Sequence, residues 1–229
     1  MNTNSNGYTI GYAAVMVIIV AFLLAFVSSV LKPTQDKNVE LDKKKQILAA
    51  LNQRGLEKDN IETTYEALVK SDLIINEDGS VKAEKGGFNE KSDLVVYVCE
   101  VEGAKKYVFP VTGKGLWGGL WGYIALNEDF QTVFGVYMSH ESETAGLGSV
   151  IAEEKFQKKF DGKSVFAEGD AENVALTVVK AGKVANNAVE VDGITGATLT
   201  CNGVAAMVND GLQQYVNFFM LTSKQRIRI

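Results

Sequence analysis

Leu94-Val-Val-Tyr-Val-Cys-Glu-Val-Glu-Gly-Ala-Lys-Lys-Tyr-Val-Phe-Pro-Val111 reads as two strands joined by a tight loop. Leu94–Val101 and Lys106–Val111 are β-branched and aromatic, and Glu102-Gly-Ala-Lys105 between them carries hairpin-loop chemistry. Branching at Cβ restricts χ1 and suits a pleated surface better than a helix. The pattern repeats downstream. Gly122-Tyr-Ile-Ala-Leu126 and Thr132–Met138 flank Asn127-Glu-Asp129, and Val174–Val179 is one more strand. Helical spacing surrounds this block. Asn38–Leu51 places Leu41, Ile47, Leu48 and Leu51 near one face, with Gly55 as a stop. Ile61–Ile74 is expected as a second helix, followed by an Asn76–Gly79 turn. Ala152–Phe160 is expected as a short amphipathic helix. From Cys201 to about Phe219, Val204, Met207, Val208, Leu212 and Tyr215 recur at three- to four-residue spacing. Strands and helices are segregated rather than alternating. The expected class is therefore α+β, a mainly antiparallel sheet with flanking helices.

The N-terminus adds a membrane element. No residue from Ile10 to Leu31 is charged, and this run as a helix spans roughly 33 Å, enough for a bilayer core. A cleaved signal peptide requires a basic n-region, and residues 1–9 hold no Lys or Arg. Tyr8 and Tyr12 suit a membrane interface. Pro33 is expected to end the span. The organisation read from the chain is a 1–9 tail, a 10–31 transmembrane helix, a 32–80 helical neck and an 81–229 main domain. Lys32, Lys37, Lys43, Lys44 and Lys45 follow the span, so the positive-inside rule alone keeps the main domain in the cytoplasm.

Composition excludes several functions. The 229 residues carry a net charge of −5 with no basic stripe, which excludes a general nucleic-acid binder. Two cysteines, Cys99 and Cys201, and one histidine, His140, exclude a disulfide scaffold and a self-contained Cys/His metal cage. The cysteines read as small buried hydrophobes, with a shared disulfide or an interface role as the alternatives. Gly113-Lys-Gly115-Leu-Trp-Gly118 satisfies G-x-G-x-x-G. More strand follows it, though, and a dinucleotide site needs a helix opening at the last glycine. His140-Glu-Ser-Glu143-Thr-Ala-Gly146-Leu-Gly148 has the makings of a site loop, though no nucleophile can be paired with the histidine. In Asp192-Gly-Ile-Thr-Gly-Ala-Thr-Leu-Thr200 a turn leads into a helix. By local physics a threonine there caps the helix, or the free N–H groups bind an anion.

Together these motifs resemble the covalent FMN-binding domain family. Asp192 with Thr195-Gly-Ala-Thr198 resembles its flavinylation motif, and Glu143-Thr-x-Gly-Leu-Gly148 its second signature. Gly115-Leu-Trp-Gly and Gly122-Tyr-Ile-Ala-Leu resemble its glycine-aromatic region. Ala145 stands where the family usually has proline. The likeness spans nearly the whole chain, anchor included, and is greatest to members that serve the sodium-translocating NADH:quinone oxidoreductase. The corresponding member of the related ferredoxin:NAD electron-transport complex is the alternative. A flavin-free, membrane-tethered assembly protein is a reading of a different class.

The resemblance implies FMN bound through a phosphoester to Thr198, with Thr195, Gly196 and Ala197 shaping the phosphate turn and Asp192 holding it. It implies Glu143, Thr144 and Leu147 beside the flavin, the last two along the isoalloxazine, and Lys180 near the ring. It implies electron relay, without NADH or quinone binding by this chain, in a complex coupling NADH oxidation and quinone reduction to sodium export. The implied partners are the other membrane subunits and a flavin transferase. The implied location is the bacterial inner membrane, with the flavin domain periplasmic, against the lysine count.

Overall fold

The computed structural model describes residues 5–90 and 92–226. These divide into two units, one up to Lys43 and one from Lys44 onward. The first is helical. Helix α1 runs Asn6–Ala50, starting where Ser5 Oγ accepts the Tyr8 N–H at 3.3 Å. The apolar helix thus begins four residues before Ile10, inside the expected tail, of which residues 1–4 lie outside the described residues. Ile10, Phe22 and Leu24 are exposed, and α1 is long and apolar enough to cross a membrane. Contrary to expectation, Pro33 does not end the helix. A proline removes one intrahelical hydrogen bond, and a long helix with good formers on both sides absorbs that loss.

The second unit contains a six-stranded, wholly antiparallel sheet. Helix α2 (Lys58–Leu68) leads directly into β1 (Val69–Ile75). The remaining strands are β2 (Val81–Ala83), β3 (Leu94–Val101), β4 (Ala104–Lys114), β5 (Gly119–Asn127) and β6 (Val133–His140), in spatial order β2-β1-β3-β4-β5-β6. The helix expected over 61–74 therefore stops at Leu68. Leu73, Ile74 and Ile75 pair with Val96, Val95 and Leu94 of β3, and this long-range pairing overrides local helical spacing. Residues 32–80 are accordingly not one helical neck. A boundary at residue 81 would part β1 from the strand it bonds to.

Period-two alternation buries both faces of the sheet. Val96, Phe109, Val111, Leu120, Ile124 and Met138 face one core. Val95, Tyr97, Cys99, Val108 and Ala125 face the other, against Ile47, Ala50 and Leu51. Cys99 is free, and burial pushes its thiol up to about 12. The first core is covered by α4 (Thr198–Gln213) and α5 (Val216–Arg226), the expected 201–219 helix broken at Gln214–Tyr215. Phe130 stacks on Phe219 at 5.2 Å, and Phe109 meets Tyr215 at 4.9 Å. The expected 152–160 helix is three short helical turns, of which Glu154–Gln157 is α3. The strand expected over 174–179 is β7 (Thr177–Val179), paired in parallel with β8 (Glu190–Asp192).

Strand β6 is the sheet edge nearest the site, and side chains close it. Asn52 Nδ2 donates to Phe134 O at 2.8 Å, Arg54 Nη2 to Val136 O at 2.7 Å and Gln157 Nε2 to Met138 O at 2.8 Å. These are alternate carbonyls of one strand, so the edge offers little to a foreign strand. Gln157 is fully buried; its Nε2 also donates to Ile151 O and its Oε1 accepts from Arg54. Gln157→Ala strands two carbonyls and part of a guanidinium, and should lower unfolding stability by about 2–3 kcal/mol. Denaturant unfolding checks this, and a loss within experimental error would contradict it.

Candidate functional site

Three segments converge at the N-terminus of α4. The first is the turn that delivers it. Gly193 N–H donates to Val179 O at 3.0 Å, tying the end of β8 to β7. Ala197 N–H returns to Ile194 O at 3.1 Å, with Gly196 at φ +83° in the third position, as a type II turn requires. Ile194 N–H donates to Cys201 Sγ at 3.3 Å, locking the turn to the helix that follows. Cys201 is free and buried, and desolvation raises its pKa. Ala197 occupies the N-cap and offers no side-chain acceptor. The N–H groups of Thr198, Leu199 and Thr200 therefore lie at the positive end of the helix with no carbonyl one turn back. Thr198 and Leu199 are exposed, whereas Thr200 is 2% exposed.

The second segment is the β4–β5 hairpin tip. Gly115 N–H donates to Gly118 O at 2.8 Å, so the glycine run closes a hairpin between strands and opens no helix. The third is the loop after β6, whose side chains clamp that tip. Glu141 Oε2 accepts Gly119 N–H at 3.1 Å, Ser142 Oγ donates to Trp117 O at 2.8 Å, and Glu143 Oε1 accepts Trp117 N–H at 3.0 Å.

Glu143 joins all three. Its Oε2 accepts the Thr200 hydroxyl at 2.7 Å, and its own N–H donates to His140 Nδ1 at 3.2 Å. A Cβ on Gly115 or Gly148 would overlap the carboxylate, so both glycines are needed for it to lie there. Burial alone would raise the Glu143 pKa. Hydrogen bonds from Trp117 N–H, the Thr200 hydroxyl and Leu116 N–H, with His140 nearby, outweigh burial and hold it below the usual carboxylate range. A depressed folded-state pKa stabilises the fold above the ordinary value of about 4.3, and that contribution fades as pH falls through the folded value. Glu143→Gln should cost about 1–2 kcal/mol at pH 7. The deficit should shrink below about pH 4.3 in parallel unfolding titrations; a pH-independent deficit would show that charge is not involved.

The three segments enclose an open cleft of about 190 Å³. The hairpin contributes Leu116, the loop Glu143, Thr144, Leu147 and Gly148, and the turn and helix Gly196, Ala197, Thr198, Leu199 and Thr200. Of the residues expected from sequence, Glu143, Thr144, Leu147, Gly196, Ala197 and Thr198 come together here. Thr195 is exposed on the turn, outside the lining. Asp192 Oδ1 accepts Gly182 N–H at 2.6 Å, and Lys159 Nζ donates to Asp192 O at 3.0 Å, so this carboxylate orders the neighbouring turn. Lys180 is exposed beyond β7 and also outside the lining. Leu116, Leu199 and Thr200 join the cleft without a place in the sequence motifs' expected roles. Leu199 carries a weak signal, an apolar residue off the core-facing stripe of α4. Thr200 carries none, since its partner is 57 residues away. The cleft pairs helix-end donors and an exposed hydroxyl with exposed apolar side chains (Leu116, Leu147 and Leu199), which suits a ligand with an anionic tail and a flat apolar body.

Comparison with known proteins fits this geometry. Residues 115–213 match the FMN-binding domain family. The NqrC component of the Na(+)-translocating NADH-quinone reductase of Haemophilus ducreyi is 31% identical over 89% of this chain and 88% of its own length. The crystal structure of the same component from Parabacteroides distasonis has a TM-score of 0.77 at 36% identity, covering 82% of this chain and 96% of that one. Shewanella oneidensis NqrC, at 24% identity, shares the fold with a TM-score of 0.71 over 82% of this chain and 99% of its own.

Proposed function

This chain belongs to the NqrC family of the Na(+)-translocating NADH-quinone reductase, and from that premise we propose that it is the FMN-bearing electron relay of such a complex, with the flavin phosphate esterified to Thr198. The observation that carries the assignment is the exposed residue Thr198 at the uncapped N-terminus of α4, lining the cleft. The residues present fit the group. Helix-end N–H groups of residues 198–200 and the Gly196 turn receive a phosphate, and Leu116, Leu147 and Leu199 offer apolar surface to an isoalloxazine. At about 190 Å³ the cleft is smaller than usual ligand pockets of roughly 300–1,000 Å³, so part of the ring remains open to a redox partner. FMN supplies reversible electron uptake and release.

The protein's own residues fix where that happens. Thr198 tethers the group and takes no part in turnover. Thr144 and Leu147 border the ring, and Glu143 holds their loop against the helix. Thr195 occupies the second position of the phosphate turn. Asp192 and Lys180 act at one remove, through the Ala181–Gly182 turn beside β8. The partners are the membrane subunits of the complex and a flavin transferase that installs the group, and the complex couples NADH oxidation and quinone reduction to sodium export.

Helix α1 is a single-pass anchor in the bacterial inner membrane, with the second unit periplasmic. Large domains translocate despite flanking lysines. Protease added to spheroplasts should degrade the second unit, and its protection would reverse the orientation. For the tether, full-length protein from cells containing the transferase should keep ultraviolet-excited fluorescence after denaturing electrophoresis. A dark band would favour a flavin-free assembly protein.

A further inference from the structure

Glu143 places an ionised carboxylate in the wall of the cleft, only 7% exposed. Among the described residues no lysine or arginine pairs with it. Its hydrogen-bond partners are dipoles, Trp117 N–H, Leu116 N–H and the Thr200 hydroxyl, and His140 lies beside it, with its Nδ1 accepting the Glu143 N–H. Dipoles stabilise the charge and leave it uncancelled. The carboxylate is held in place by a hydrogen bond to each oxygen, in space that Gly115 and Gly148 leave open for it. The open cleft is the route by which solvent screens it, and a ring bound there would cover that route.

We propose that Glu143 sets the electron affinity of the cleft, holding the potential of the FMN bound there low and making the reduced group the better donor. This rests on the FMN reading of the site. In reduction, one electron leaves a one-electron redox centre of the complex, or dithionite in the test below, and enters the isoalloxazine. The cleft gains one negative charge unless a proton follows. No bond to Glu143 forms or breaks, and the carboxylate stays ionised throughout. The added charge is repelled by the fixed one, so the oxidised state is favoured relative to a cleft with a neutral wall.

Glu143→Gln isolates the charge. The amide oxygen still accepts Trp117 N–H. Its NH₂ donates to Thr200 Oγ once the hydroxyl proton turns away. The measurement is a dithionite titration with dye mediators on full-length, flavinylated protein in detergent. Glu143→Gln should raise the midpoint potential by about tenfold in the one-electron equilibrium, about 59 mV. Thr200→Val, which removes the hydrogen bond and keeps the charge, should stay within about threefold of wild type, and so should Glu143→Asp. If Glu143→Gln does not fold, Leu116→Lys is the readout. Leu116 is 46% exposed, and a cation there should raise the potential in the same direction.

An unmoved potential in Glu143→Gln, or in Leu116→Lys where that stands in, overturns the proposal. So does an equal shift in Glu143→Gln and Thr200→Val, which would mark a loosened cleft rather than a removed charge. A wild-type chain without covalent FMN removes the flavin reading and this inference with it. A flavinylated wild type with unmoved variants removes this inference alone.

Discussion

Thr198→Ala should abolish covalent flavin fluorescence completely, while Thr195→Ala keeps it and Thr200→Val keeps it at a reduced level. Three threonines within six residues present similar hydroxyls to a transferase, and only their surroundings separate them. Thr200 is 2% exposed and its hydroxyl is committed to Glu143 at 2.7 Å. Thr195 sits on the turn outside the cleft. Thr198 alone combines exposure with the first helical position, where the helix end would stabilise a phosphoester through unpaired N–H groups and the positive end of its dipole. Neither neighbour can take over, so no partial activity is expected. Denaturing electrophoresis of the three variants, each co-expressed with the transferase, gives the answer. Fluorescence surviving in Thr198→Ala, or lost in Thr195→Ala, would move the tether elsewhere.

Gly203→Ala should destabilise the protein by about 2–3 kcal/mol and reduce flavin loading with it. In an open helix the same change stabilises by about 1 kcal/mol, because alanine is the better helix former. Here a Cβ would strike the backbone carbonyl of Lys114, and its other near contacts are the Leu120 side chain and the Lys114 carbonyl carbon, each at 3.2 Å. Helix α4 approaches β4 closely at three glycines along its length. Gly113 faces Met207 with room for no side chain, and Gly211 faces Val111 likewise. Pushing α4 off the sheet at Gly203 loosens this seam and displaces Thr198, five residues along the same helix. Thermal unfolding of the full chain in detergent, with loading read from flavin absorbance, tests both effects. A variant as stable as wild type would show that the seam yields without cost.

The edge of legibility in the sequence runs along particular residues. The β3–β4 and β5–β6 hairpins are legible because alternation and turn chemistry are local. The segment 69–75 is not, because its residues also satisfy helical spacing and only hydrogen bonding to β3 and β2 makes it a strand. Pro33 misleads because a breaker acts on one hydrogen bond, and a helix of 45 residues is held by many. At the site, the Asp192–Thr200 and Glu143–Gly148 motifs name most of the cleft. They do not reveal that Glu143 reaches Thr200, or that the Asp192 carboxylate turns towards Gly182 and Lys159.

By itself the amino-acid sequence determined what local rules and ordered motifs carry. These are an apolar helix long enough to span a bilayer, an antiparallel α+β domain, and a threonine turn opening a helix. Only the tertiary structure decided which of the two cleft threonines, Thr198 or Thr200, has its hydroxyl engaged. That choice depends on a carboxylate 57 residues away being buried against Thr200 while Thr198 faces the cleft, and contacts at that separation leave no periodic trace in the chain.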